Sequence, residues 1–138
     1  MRLSRESRYA VQALIFMAEH APSDAYVGAR VIAAGADLPA AYLHKILRQL
    51  TVGGLLHSRR GAGYALARPI EQIEMREVLA TIEGPKVFAG RCIFWREECS
   101  ESDPCELHFV WRELEPTVEA TIGATTLAQV AAAATPHG

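Results

Sequence analysis

Along most of the chain the apolar positions recur at helical spacing, with glycine and proline interrupting them. Val11, Leu14, Ile15 and Ala18 fall at i, i+3, i+4 and i+7 behind Ser4, which predicts a first helix from about Arg5 to His20, closed by Pro22. An alanine-rich stretch predicts a short second helix from Val27 to Ala34, ended by Gly35. Leu38-Pro39 puts proline where a first-turn residue belongs, and Leu43, Ile46, Leu47 and Leu50 then repeat the helical spacing until Gly53-Gly54 stops it. A helix, a turn and a helix follow one another here. Ala41, His44, Lys45 and Arg48, displaced by two positions from that apolar stripe, lie roughly 200° around the third helix and are expected to face solvent.

The period then changes. LLHSRRGAGYALA reads as two short strands joined through Arg-Gly-Ala-Gly, where glycine allows the positive φ of a tight reversal, so a β-hairpin with a basic tip is expected. Met75, Val78, Leu79 and Ile82 mark a fourth helix stopped by Glu83-Gly84-Pro85. Lys86 to Ser102 holds no helical period and is long for a connector, which favours a segment organised by a ligand. Asp103-Pro104-Cys105-Glu106 predicts a new helix start, with Asp103 as N-cap, Pro104 at the first helical position and Glu106 completing a capping box. Leu107, Trp111, Leu114, Val118 and Ile122 would form an apolar stripe on this long helix, which Pro116 is expected to bend. A last helix is expected from Thr126 to Ala134. Such a stripe on a projecting helix wants a partner, and a second copy of the chain is the simplest one.

The expected fold is therefore mainly α with a small β-hairpin: a winged helix-turn-helix domain over residues 1–85, a cysteine-bearing loop over 86–103, and a C-terminal dimerisation helix with a short final helix over 104–138. At 138 residues, 50% of them hydrophobic and 22% charged, the chain has the size and composition of one globular domain with an appendage. No run of apolar residues is long enough to span a bilayer, so no membrane partner is expected. Arg2, Arg5 and Arg8 ahead of an apolar run imitate a secretion signal. Gln12, Glu19 and His20 interrupt it, however, and no small-residue cleavage site follows, so a cytoplasmic location is expected.

The net charge of -2 conceals a division. Up to residue 70 there are nine basic and four acidic residues; beyond it there are five and twelve. A basic first half suits double-stranded DNA, and the acidic second half should face away from it. On the third helix, His44 and Lys45 can meet base edges or phosphates, Ala41 a thymine methyl and Tyr42 a phosphate, with Arg48 on the same face; Arg59 and Arg60 of the hairpin can enter the adjacent minor groove. The alternative for this surface is an acidic protein partner, in a metal-binding interaction module that touches no DNA.

All three cysteines lie between Cys92 and Cys105. Reactive thiols, a disulfide with one thiol left over, a zinc site and the ligands of an iron-sulfur cluster are all compatible with such a group. An odd count fits a reducing compartment. Zinc modules usually bring Cys-x-x-Cys pairs, whereas here six residues separate Cys92 from Cys99 and five separate Cys99 from Cys105. No Cys-x-x-Cys on a βαβ frame and no nucleophile with a base and an orienting group is visible, so neither an enzyme nor a small-molecule substrate is expected.

The blocks MRLSRESRYAVQAL, AAYLHKILRQLTVGGLLHSRRGAGYAL and IEMREVLATIEGP, and the three cysteines leading into CELHFVWREL, together resemble the winged-helix regulators typified by IscR and the nitric-oxide sensor NsrR. The resemblance covers nearly the whole chain. It implies a homodimer whose long helix forms the interface, a roughly palindromic operator, repression of transcription, and a cluster that senses redox state, iron-sulfur status or nitric oxide. It also implies that Cys92, Cys99 and Cys105 are cluster ligands and that His108 matches the histidine ligand of the IscR type. A histidine in place of one cysteine is known chemistry for a [2Fe-2S] centre, which favours that cluster over [4Fe-4S]. Cys105 and His108, at i and i+3, would share one helical face, with Cys105 in the first turn where the helix dipole favours a thiolate. Two places differ from the pattern: the wing RRGAGYAL is shorter than the glycine-rich turn usual in these regulators, and Arg8 stands where some members carry an acidic ligand, Glu6 being the nearest carboxylate. A zinc or bare-thiol switch on the same DNA-binding frame is the alternative.

Overall fold

The computed structural model describes residues 3–21, 24–88 and 92–133. The helix ends expected at Pro22 and Ala134 lie outside them. In order, the elements are α1 (Arg5–His20), α2 (Ala29–Ala36), α3 (Ala40–Val52), the antiparallel strands β1 (Leu56–Arg59) and β2 (Gly63–Leu66), α4 (Met75–Glu83), α5 (His108–Ala124) and α6 (Leu127–Ala133), with a 3-10 turn at Ile70–Gln72. The mainly helical fold with one hairpin is the winged helix-turn-helix that the hydrophobic pattern implies.

Leu43, Ile46, Leu47 and Leu50 of α3 are buried against α1, α2 and α4, as their spacing requires. On α1 the buried face is Ser7, Ala10, Ala13, Leu14 and Met17, rotated from the expected stripe so that only Leu14 is common to both. Its small residues let neighbouring helices approach closely, and the bulkier Val11 and Phe16 lie half-buried at the flank. α2 begins and ends two residues later than expected. Gly35 lies inside it beneath the Phe16 ring, and Asp37, in the left-handed region at φ 55°, closes it. Asparagine and aspartate tolerate that conformation better than other side chains.

α5 departs furthest from expectation. It starts at His108, with Leu107 rather than Asp103 at its N-cap, so Pro104, Cys105 and Glu106 precede the helix. Asp103 is held in the loop instead. Its N–H donates to the Ser100 carbonyl at 3.1 Å, its own carbonyl accepts from Arg96 at 3.0 Å, and its carboxylate pairs with Arg96 at 2.9 Å. The helix runs through Pro116 as one element. Leu114 is 52% exposed and Ile122 39%, with Trp111 and Val118 half-buried, so much of the apolar stripe is left open by the described residues. α5 rests mainly on α4, where Gly123 is buried against Arg76 and Glu119 stands 3.7 Å from the Arg76 guanidinium.

The far end of α5 is pinned to the body. The Met75 N–H donates to the Thr125 carbonyl at 2.8 Å and the Leu127 N–H to the Ile73 carbonyl at 2.9 Å. Thr126 and Gln129 cap α6 reciprocally, at 2.8 and 3.1 Å, and Leu127 is fully buried in the main core. That one side chain contributes about 1.5–3 kcal/mol through burial.

Ser4 sits at the N-cap of α1, yet its hydroxyl does not cap that helix. One Glu83 oxygen accepts from the Ser4 N–H at 2.6 Å, the Ser4 hydroxyl at 2.8 Å and the buried Ser7 hydroxyl at 2.6 Å, tying the end of α4 to the start of α1. Glu83→Ala leaves the Ser7 hydroxyl buried without its acceptor and should cost about 1–3 kcal/mol of unfolding free energy. Urea denaturation of Glu83→Ala and Glu83→Gln checks this, with the glutamine variant retaining more stability than the alanine; equal stability of alanine variant and wild type would show that the tie contributes nothing.

Candidate nucleic-acid interface and metal centre

Because the apolar stripe of α3 is turned inward, Ala41, Tyr42, His44, Lys45 and Arg48 are all exposed together on its outer face. Ala41, His44, Lys45, Arg48 and Val52 line an open groove along the helix, walled by Thr81 of α4. Tyr42 leans toward α1. Its ring centroid is 6.5 Å from that of Tyr9, and the Arg5 guanidinium lies 5.8 Å from it. Arg5 therefore joins the basic surface, a neighbour that no local spacing could have indicated.

The wing is the β1–β2 hairpin, in which Arg59 pairs with Gly63 and Arg60, Gly61 and Ala62 form the loop. Gly61 and Gly63 have φ of 81° and 104°, the positive values expected at the reversal. Arg60 is at the tip. Arg59 is the last residue of β1, and its guanidinium lies 4.4 Å from the centre of the Tyr26 ring. An extended segment pairs Val27 with Tyr64 and adds a third strand-like edge to the wing.

The thiols converge. The sulfur atoms of Cys92, Cys99 and Cys105 all lie within 4.8 Å of one another, those of Cys92 and Cys105 being 3.5 Å apart. Cys92 and Cys105 are 4% and 7% exposed, and Cys99 is half-buried. The pairing of Arg96 with Asp103 braces the loop internally, Trp95 Nε1 donates to the Glu106 carboxylate at 2.8 Å just ahead of α5, and Arg112 of α5 pairs with Glu101 of the loop. His108 is not in the sulfur group. Its Nε2 is nonetheless buried and has no hydrogen-bond partner among the described residues. A polar atom buried without a partner is costly, and three clustered thiols with such an imidazole nearby in sequence are a donor set that suits a thiolate-ligated metal group.

The thiols are electrostatically unequal. Burial pushes Cys92 up, but the backbone N–H groups of Arg96 and Phe94 and hydrogen bonds from Cys99 and Cys105 outweigh it and bring Cys92 down to about 6. Cys99 moves up to about 11, through burial first and then hydrogen bonding with Cys92 and Cys105. Cys92 is therefore the first of the group to ionise, and a bound cation would favour ionising Cys99 beside it.

Fold and surface together define a winged-helix transcription regulator. The family model for Rrf2, iron-dependent transcriptional regulators, matches residues 3–133, and the chain belongs to that family. A helix-turn-helix-type transcriptional regulator of Mycobacterium tuberculosis is 36% identical over 139 residues, covering 99% of this chain and 85% of that protein. IscR of Xenorhabdus nematophila is 31% identical over 132 residues, covering 94% of this chain and 79% of that one. Staphylococcus aureus CymR has a similar structure, with a TM-score of 0.70 at 26% identity, covering 98% of this chain and all of that one. These relatives belong to a class of regulators, not enzymes.

The inequality of the thiols has a measurable sign. In reduced, metal-free protein, thiolate absorbance should show a first step near pH 6, which Cys92→Ala removes. Since this lies below the value of about 8.5 in an unfolded chain, the ionised Cys92 adds stability that is full above the unfolded value and lost as pH falls through about 6. A first step at the ordinary thiol value would contradict the arrangement.

Proposed function

We propose that this transcription regulator is a cytoplasmic homodimer that reads a roughly palindromic operator, chiefly as a repressor, and responds to redox state, iron-sulfur status or nitric oxide through an iron-sulfur cluster. The observation that carries this reading is the convergence of three thiols directly ahead of the helix with the uncovered apolar stripe. Cys92, Cys99 and Cys105 would hold the cluster, with His108 as fourth ligand and [2Fe-2S] favoured over [4Fe-4S]. When bound, it supplies a redox-active iron centre. Residues 1–85 read DNA, 86–103 hold the cluster, and 104–138 dimerise, with α6 locked into the DNA-reading body through Leu127.

Each part follows from chemistry on the chain. Leu107, Trp111, Leu114, Val118 and Ile122 bury against the same residues of a second copy, which removes their apolar surface from water. Because the loop is tied to α5 through Glu101 and Arg112, and to Glu106 just ahead of it through Trp95, a change in how the thiols are held alters the angle at which that helix leaves the body. The far end of α5 is pinned to the α4 end of the DNA-reading body, so that angle sets the spacing of the two α3 helices. On a two-fold axis those helices meet half-sites about 34 Å apart. Ala41, Tyr42, His44, Lys45 and Arg48 enter or flank the major groove, and Arg59 and Arg60 the minor groove.

The test is titration of an operator selected from a randomised duplex pool, at several salt concentrations, with reconstituted and metal-free protein. Lys45→Ala combined with Arg60→Ala should weaken binding and lower the slope of log affinity against log salt by about 0.9 per phosphate contact removed. Reconstituted wild type should differ in affinity from Cys105→Ala, which cannot complete the ligand set. An unchanged slope in the double variant would remove the assigned surface. Equal affinity of reconstituted and metal-free protein would separate the thiols from DNA reading.

A further inference from the structure

Tyr26 lies between α1 and α2, outside both helices, yet its ring lies under the guanidinium of Arg59 at 4.4 Å from its centre. That placement is built into the backbone. The Val27 N–H donates to the Tyr64 carbonyl at 2.7 Å, and the Tyr64 N–H donates back to Val27 at 2.9 Å. This crossing is possible only because residue 63 is glycine: a Cβ there would stand 2.2 Å from the Val27 carbonyl oxygen and 2.8 Å from the Gly28 α-carbon. Immediately beyond, Gly28 caps α2, the first helix of the helix-turn-helix. Tyr26 thus stands where the segment paired with β2 leads into α2, and its ring meets Arg59 at the end of β1.

We infer that Tyr26 is a positioning residue for DNA recognition, holding the Arg59 guanidinium at a set place relative to α3. The inference rests on the proposal that the wing reads DNA. A cation over an aromatic face at this distance is attracted to it. Such a contact needs no acceptor atom, which leaves N–H donors for the N3 and O2 acceptors of the minor groove. A carboxylate in the same place would consume those donors and cancel the charge that a narrow groove attracts. Arg60, one residue on, makes no ring contact among the described residues and keeps its rotamer freedom. Ordering a free arginine on binding costs affinity that an already ordered one does not lose.

A double-mutant cycle on the selected operator tests this. Tyr26→Leu should weaken binding by about three- to tenfold, leaving the salt slope unchanged because no charge is lost, and Tyr26→Phe should restore affinity to within about twofold of wild type. In an Arg59→Ala background, Tyr26→Leu should have no further effect. If Tyr26→Leu loses its cooperative unfolding transition, Arg59→Lys replaces it. Charge is kept and the flat stack removed, so the same loss at unchanged slope is expected, and wild-type affinity in that variant overturns the inference. Tyr26→Leu weakening binding equally with and without Arg59 also overturns it, as does no weakening at all. Arg59→Ala with wild-type affinity is a different failure, since it removes the wing from DNA reading altogether.

Discussion

The burial of Leu43, Ile46, Leu47 and Leu50 on one side of α3 is the constraint from which the surface of this protein follows. Each is at most 1% exposed, so the helix cannot rotate without bringing that stripe into water. With the stripe inward, His44, Lys45 and Arg48 have nowhere to point but outward. Leu55 and Leu56, also buried, continue the same core into the wing and set the hairpin beside the outer face of α3. The basic surface of the first half is therefore a by-product of core formation, and a charge placed at Leu47 would disorder both together.

A second geometry is laid over this one by α5. Its C-terminal end is held by backbone hydrogen bonds to the start of α4, its N-terminal end follows directly on the thiol-bearing segment, and an exposed apolar stripe runs along it. Five of the twelve acidic residues of the second half, Glu97, Glu98, Glu101, Asp103 and Glu106, lie on or beside the thiol-bearing loop. On the proposed reading, such a division of charge would orient the molecule on DNA before any base is contacted.

Legibility in the sequence tracked how local the cause was. The α3 stripe, its glycine stop and the glycine-bearing turn of the wing are local features, and the structure has them where spacing placed them, with Pro39 one place earlier, at the N-cap rather than in the first turn. The face of α1 was misplaced because Ala10 and Ala13 are buried by close helix approach, which hydrophobic size alone does not reveal. Asp103-Pro104 is a strong local start signal, but tertiary ties to Arg96 and the burial of Cys105 override it, and α5 begins at His108. That also removes the expected first-turn position of Cys105 and the shared helical face with His108. The last helix was expected from Thr126 without its cap, which Thr126 and Gln129 form reciprocally. The stacking of Arg59 on Tyr26 was not, since 33 positions separate them and only Gly63 brings the segments together.

What the three converging thiols hold is measured most directly by the iron, acid-labile sulfide and zinc content of the full chain, reconstituted without oxygen, alongside its visible absorption. A coloured protein with iron and sulfide in equal amounts, roughly two of each per chain, is the expected result for a [2Fe-2S] centre. A colourless protein carrying one tightly bound zinc per chain, with neither iron nor sulfide, would contradict it.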